Sequence, residues 1–258
     1  MLDYLQRDPW GFLQFMLYRA PAVLLALTLH EFAHGYAALK AGDRTAQRMG
    51  RLSLNPLKHL DPIGTVSLFL LGFGWAKPVP VNPNNFRSPR RDDIMVSLAG
   101  VTVNFILFLL FTLLALLAGR AMYHPQALEA LGGLRFFLGI EQQGTWLQLY
   151  PEYAQTLAPV LRIPWLLHLQ RFLLHSCIIN LGLCLFNLLP IPPLDGFHVL
   201  NQGVFGGKLQ LNTQVFRIAQ MVLIFLMFTT DFVGKIISVL MNAVQGTVLT
   251  GLLSVFGA

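Results

Sequence analysis

Apolar positions fill this chain in long unbroken runs, not in the spaced pattern of a water-facing helix. Runs 94–119, 172–194 and 236–258 contain no Asp, Glu, Lys or Arg. Each is long enough to cross about 30 Å of hydrocarbon as a helix. A further run, roughly 10–40 and closed by Lys40, is interrupted only by Arg19 and Glu31. The shorter run 218–230 reaches spanning length with its flanking residues. Run 62–76 is too short to span untilted and carries several glycines, which predicts a re-entrant or interfacial segment. The pattern therefore predicts an all-α membrane protein, a bundle of about five to six membrane helices, some short or re-entrant. It forms one integral-membrane domain over 1–258, with a core at about 10–205 and closing helices at about 212–256. Between the first two spans the pattern changes. "RTAQRMGRLSLNP" alternates polar and apolar residues around 48–54, and the prolines of "KPVPVNP" keep that stretch extended. These stretches predict short strands or a small β-hairpin at the membrane surface.

Composition supports the membrane reading. The chain is 55% hydrophobic and 12% charged, about half the charge of a soluble domain. No cleavable signal peptide is visible: "MLDYLQRDPW" lacks a basic leader, and the first apolar helix is too long for a signal core, so it reads as a permanent span. Cys177 and Cys184 lie on one helix face two turns apart, too distant for a disulfide, and read as core residues. The net charge of +6 raises nucleic acid as a partner, but its distribution argues against one. Nine of the 18 Lys and Arg lie between Lys40 and Arg91, and no aromatic-interleaved basic motif occurs. Basic loops stay cytoplasmic, and they can also touch anionic lipid. A cytoplasmic 40–91 loop sends the first span inward, the second, about 94–119, outward, and the third, about 165–189, inward again. Residues 120–164 then lie outside, as an interfacial helix plus loop. The inner end of the first span and the Pro-rich end of the third meet at similar depth, at the cytoplasmic side of a multi-pass cell-membrane protein.

The costly residues sit where those ends meet. In "ALTLHEFAHGYAAL", 26–39, His30 and His34 are four apart, so both imidazoles share one helix face and can bind one metal ion. Glu31 is rotated away from that pair and can take a proton from water, the geometry of H-E-x-x-H zinc proteases. The competing reading, a solvent-facing helix, is weakened by the bilayer, where a charged residue costs about 2.5 to 3.5 kcal/mol on the translocon scale. A catalytic zinc site needs a third protein ligand. Asp195 follows "FNLLPIPPL" at the required depth, and His198, three residues later, is the runner-up. His59, His124, His168 and His175 read as surface or packing residues. Lys77, Arg90 and Arg91 read as topology determinants.

The sequence resembles the site-2 proteases, which cut substrates within membranes. "HEFAH", 30–34, matches the zinc motif, and "NLLPIPPLDG", 187–196, matches the second motif at every fixed position. "NPLKHLDPIGT" and "GFGWAKPVPVNP" are similar to a compact bacterial and archaeal subgroup without a PDZ domain. The resemblance covers roughly 20–205. It implies one Zn2+ held by His30, His34 and Asp195, with Glu31 as general base and acid. It implies that Asn187 donates to the oxyanion or the substrate backbone. In "SLAGVTVNF" Asn104 matches, while Val101 stands where family members often have proline. Asn104, Leu52 and Gly74 are candidate substrate-binding residues, with the extended stretches as docking edges and Gly72 and Gly74 suited to close backbone approach. The implied activity is zinc-dependent endopeptidase action on transmembrane or membrane-anchored protein substrates, with the lipid bilayer as the other partner. A membrane metal transporter and a non-catalytic membrane binder of the same fold are the alternatives. No residue pattern specifies an oligomeric state.

Overall fold

The computed structural model describes residues 1–71, 74–209 and 211–256; Gly72 lies outside them. The first long helix, α1 (Pro9–Ala41), starts where the Asp8 carboxylate accepts from Gly11 N, with Pro9 in the first turn. It stops at Gly42, whose φ of 111° continues the chain in the left-handed region. Next is α2 (Pro62–Leu71), then α3 (Pro89–Met122), which opens on Pro89 with Asp92 accepting from Ser88 N. Last come α4 (Leu166–Asn187), α5 (Asp195–Gly203), α6 (Thr213–Thr229) and α7 (Phe232–Phe256). Helix α3 packs against both α1 and α4, and α5 docks on α3. Buried Phe108, Phe111, Leu116, Leu173, Leu174 and Leu181 fill the α3–α4 seam, reached by Met241 and Leu249 of α7.

Helices α1, α3, α4 and α7 are long and apolar enough to cross a membrane. The protein is an all-α, multi-pass membrane protein. The expected count of five to six spans included α6 and the 62–76 run. Helix α6 has 17 residues and α2 has 10, about 25 Å and 15 Å of rise. Both are shorter than the hydrocarbon of about 30 Å. Residues 120–164 fold back as short helices, among them Pro125–Leu131, Leu134–Leu138 and Gln143–Leu149. The Tyr123 and Phe137 rings stack at 3.9 Å, and Arg171 Nε of α4 donates to Gln148 O.

The expected β-hairpin is absent among the described residues, which contain no strand. Residues 45–54 form a four-residue helix, a left-handed turn at Gly50 (φ 64°) and bends. The extended stretch near 76–82 does exist, but one isolated bridge, Leu60 to Ala76, is its strand-like pairing. Prolines 78 and 80 have no N–H to offer a ladder. The remaining groups go largely to side chains. Lys77 O and Pro78 O accept from Arg51, Val79 N donates to Glu31, and Asn82 N donates to Asp43.

Asp43 anchors this loop. Its carboxylate accepts from Thr45 N, Thr45 Oγ1, Asn82 N and Asn85 Nδ2 at 2.5 to 3.0 Å. Burial alone would raise its pKa; the hydrogen bonds outweigh that and hold it below the usual carboxylate value. A depressed pKa stabilises the fold above the unfolded-state value, about 3.9, and that stability is lost as pH falls through the lower folded value. Replacing Asp43 by Ala strands several buried donors and should cost about 2 kcal/mol. The expected readout is faster proteolysis within 42–88 at neutral pH, with the gap between Asp43→Ala and wild type closing on acidification.

Candidate metal centre

His30 and His34 lie one turn apart on α1 with their rings buried. Their Nε2 atoms are 2.9 Å apart, and Asp195 Oδ2, at the start of α5, is 3.4 and 3.3 Å from them. Tetrahedral zinc with bonds of 2.0–2.2 Å sets its ligand atoms about 3.3 Å apart, so the set has the right span. Among the described residues this is the one group of three His, Cys, Asp or Glu able to hold a metal ion.

The hydrogen bonds fix which ring nitrogens face inward. His34 Nδ1 donates to Val96 O at 2.8 Å, and His30 Nδ1 donates to Asn104 Oδ1 at 2.6 Å, both partners on α3. A carbonyl oxygen can only accept, so the proton sits on Nδ1 and Nε2 keeps its lone pair. Two lone pairs and a carboxylate oxygen then converge on one point. The buried Asp195 Oδ2 has no hydrogen-bond partner. Such an arrangement is repulsive until a cation occupies its centre, and the donor set suits zinc.

Gly100 of α3 makes the space. A Cβ there would lie 2.5 Å from His34 Nε2 and 2.6 Å from His30 Cε1. Gly100 lies inside "SLAGVTVNF", where sequence alone does not show its reason, the opposing helix. At the other wall Gly196 lets α5 start against the end of α4, because a Cβ would collide with Leu188 O and sit 2.6 Å from Leu189 O. Three further contacts dock α5 on α3. Gln202 Nε2 donates to Asp93 Oδ2 at 2.9 Å, and Arg90 donates to Gln202 O and Gly203 O. Arg90, read from sequence as a topology determinant, thus also caps the last carbonyls of α5. His198, the runner-up ligand, faces Asp93 Oδ2 at 3.5 Å and stacks on Phe216; it is not in the triad.

Glu31 lies half-buried beside the triad's helix face, its Oε2 accepting from Val79 N at 2.7 Å. Asn104, grouped from sequence with substrate binding, is fully buried and has both ends of its amide engaged. Its Oδ1 holds His30, and its Nδ2 donates to Asn180 Oδ1 at 2.8 Å. Asn180 Nδ2 in turn donates to Ser176 O. This chain joins α1, α3 and α4 behind one ligand, and sequence reading missed Asn180 because only the packing of α4 on α3 brings it there. Asn187 ends α4 with Nδ2 donating to Leu183 O at 3.1 Å, leaving one amide hydrogen over. Leu52 is half-buried, and its Cδ1 is 3.2 Å from where a Gly35 Cβ would stand, so it packs on α1 beside His34. A Cβ on Gly74 would collide with Gly64 O of α2, so that glycine serves a close backbone crossing.

The family model of peptidase family M50 matches residues 18–230. The chain belongs to peptidase family M50, the site-2 protease family. It is 36% identical over 239 residues to "Putative zinc metalloprotease YwhC" of Bacillus subtilis, covering 92% of this chain and 91% of that protein. Relatives named in the same words as Rip2, from Mycolicibacterium smegmatis and Mycobacterium tuberculosis, are each 32% identical over 50% of this chain and 49% of their own length. No solved structure matches significantly. This M50 protein is a zinc metalloprotease, and His30, His34 and Asp195 are the residues that can hold its metal.

Two substitutions test the centre by metal content. Gly100→Ala should reduce zinc affinity at least about tenfold by displacing the imidazoles. Asn104→Leu, which frees His30 to rotate, should reduce it about 10- to 100-fold. Zinc titration of apo protein with a chromophoric chelator reads both, and unchanged affinities would contradict the arrangement.

Proposed function

We propose that this metalloprotease hydrolyses peptide bonds of transmembrane or membrane-anchored protein substrates, at a site near the cytoplasmic side of the cell membrane. The observation that carries the proposal is that His30 and His34, on a helix long and apolar enough to cross a membrane, converge with Asp195 on one point. His34 lies seven residues before the end of α1, and the basic 40–91 loop follows it. Positive loops stay cytoplasmic, which supports the same orientation. Convergence on one point also separates this reading from a transporter, whose ligands would be layered along a path.

Zinc at the triad would polarise the scissile carbonyl and bring water into its reactive range near neutral pH. The remaining work falls to the chain. Glu31 accepts the proton of the attacking water and delivers it to the departing amine. Val79 N–H, bonded to one carboxylate oxygen, restricts the rotation of that base and leaves the other oxygen for water. The spare amide hydrogen of Asn187 suits the oxyanion. A substrate helix must unwind for its carbonyl to be attacked. The extended 76–82 stretch, already tethered to Glu31, lies where an unwound strand could run, with Leu52 beside it.

The deciding experiment uses full-length protein in liposomes with a model transmembrane substrate. Glu31→Gln should retain one zinc per chain while cleavage falls to about one hundredth or less. Asp195→Ala should lose both. Wild-type cleavage by Glu31→Gln would refute the role of Glu31, and undiminished zinc in Asp195→Ala would refute the triad.

A further inference from the structure

Away from the metal centre, at the C-terminal end of α1, the surface holds an open depression of about 620 Å3, its polar rim of Arg44, Gln47, Asn85 and Arg87 exposed. Its lining is Leu39, Gly42, Arg44, Gln47, Asn85 and Arg87. The walls come from two stretches distant in sequence and tightly joined. Arg87 N donates to Ala41 O at 3.0 Å, and Asp43 bonds to Thr45 on one side and to Asn82 and Asn85 on the other. Asp43 is thereby consumed: it is buried, and its carboxylate faces inward onto amides and a hydroxyl.

The cations around it divide into two groups. Arg51, Lys58 and Arg90 are engaged with backbone carbonyls, and Lys40 lies over the Tyr36 ring. The guanidiniums of Arg44 and Arg87 have no hydrogen bond or ion pair among the described residues, and both line the depression. Residues 40–91 contain nine basic residues and two acids, Asp43 and Asp61, whereas the whole chain carries +6. The positive charge of this protein is therefore concentrated in this segment, and among the described residues neither guanidinium is ion-paired to a carboxylate.

Two guanidinium forks with adjacent amides match the oxygens of a phosphate, which arginine binds in bidentate fashion. The volume lies within the range of small-molecule sites, about 300 to 1,000 Å3. Leu39, on the last turns of a membrane-length helix, adds an apolar edge. We propose that this depression binds a phosphate-bearing anion between Arg44 and Arg87, either the phosphodiester of a net-anionic lipid headgroup, which unlike phosphatidylcholine carries no neutralising ammonium for the guanidiniums to repel, or inorganic phosphate. Occupancy would clasp the end of α1, which carries both histidines, to the segment leading into α3, which carries Gly100 and the partners of both rings. The site shares no residue with the triad, so it stands or falls apart from the proposed cleavage.

Native mass spectrometry of the detergent-purified full chain tests this, titrating phosphatidylglycerol, phosphatidylcholine and inorganic phosphate separately. One equivalent of phosphatidylglycerol should be retained at least tenfold more tightly than phosphatidylcholine. Arg44→Gln/Arg87→Gln should lose that preference, and Arg48→Gln/Arg91→Gln, which removes two charges from the same basic segment but none from the lining, should keep it. Saturation by inorganic phosphate, with equal retention of the two lipids, would assign the same site to the free anion, again provided only the Arg44/Arg87 variant loses it. Equal losses in the two double variants, or no preference for any phosphate anion, would overturn the site. Unaltered zinc content in each variant, and the single variant Arg44→Gln, guard against misfolding.

Discussion

The structure depends on bringing two neutral imidazoles and one carboxylate to a single point inside an apolar bundle. In hydrocarbon each of these groups is unfavourable alone. Together they are tolerated because the outer nitrogen of each ring has a protein partner and the inner atoms face one another. Val96 O and Asn104 Oδ1 hold the two Nδ1–H groups. What remains unsatisfied, two Nε2 lone pairs and Asp195 Oδ2, is what a divalent cation satisfies. The polar residues of α3 and α4 and the bare surface of Gly100 follow from that requirement.

The two ends of the site are positioned by different means. The histidines come from one helix, and their spacing is intrinsic to 3.6 residues per turn. Asp195 comes from a separate short helix, so tertiary contacts must supply its position. Gly196 permits α5 to begin against α4, and Asp93, Gln202 and Arg90 fasten its far end to α3. A nine-residue helix would not hold its place by propensity alone.

Much of this is legible in the amino-acid sequence. Helical periodicity placed His30 and His34 on one face, and long uncharged runs located α1, α3, α4 and α7. Charge distribution then set the depth at which Asp195 had to be sought. Other features were not legible, for identifiable reasons. Alternation at 48–54 suggested a strand, but Gly50 turns the chain and Arg51 takes the carbonyls that a neighbouring strand would have used. Of the expected five to six membrane helices, some short, four reach spanning length among the described residues, and α6 ends before bilayer thickness. Asn180 reads as an ordinary polar residue in a span, and only the packing of α4 against α3 brings it behind His30. Asn104 was found by motif but grouped with substrate, since sequence does not show that both ends of its amide are engaged.

Asp195 lies 161 residues after His34, and that separation has a consequence for how the protein is made. During synthesis α1 enters the membrane with both histidines but without the third ligand. Helices α3 and α4 must follow before α5 can close the site. The nascent chain therefore carries an incomplete metal centre for most of its elongation. Hydrolytic competence is withheld, by chain order alone, until the bundle around the centre has been assembled.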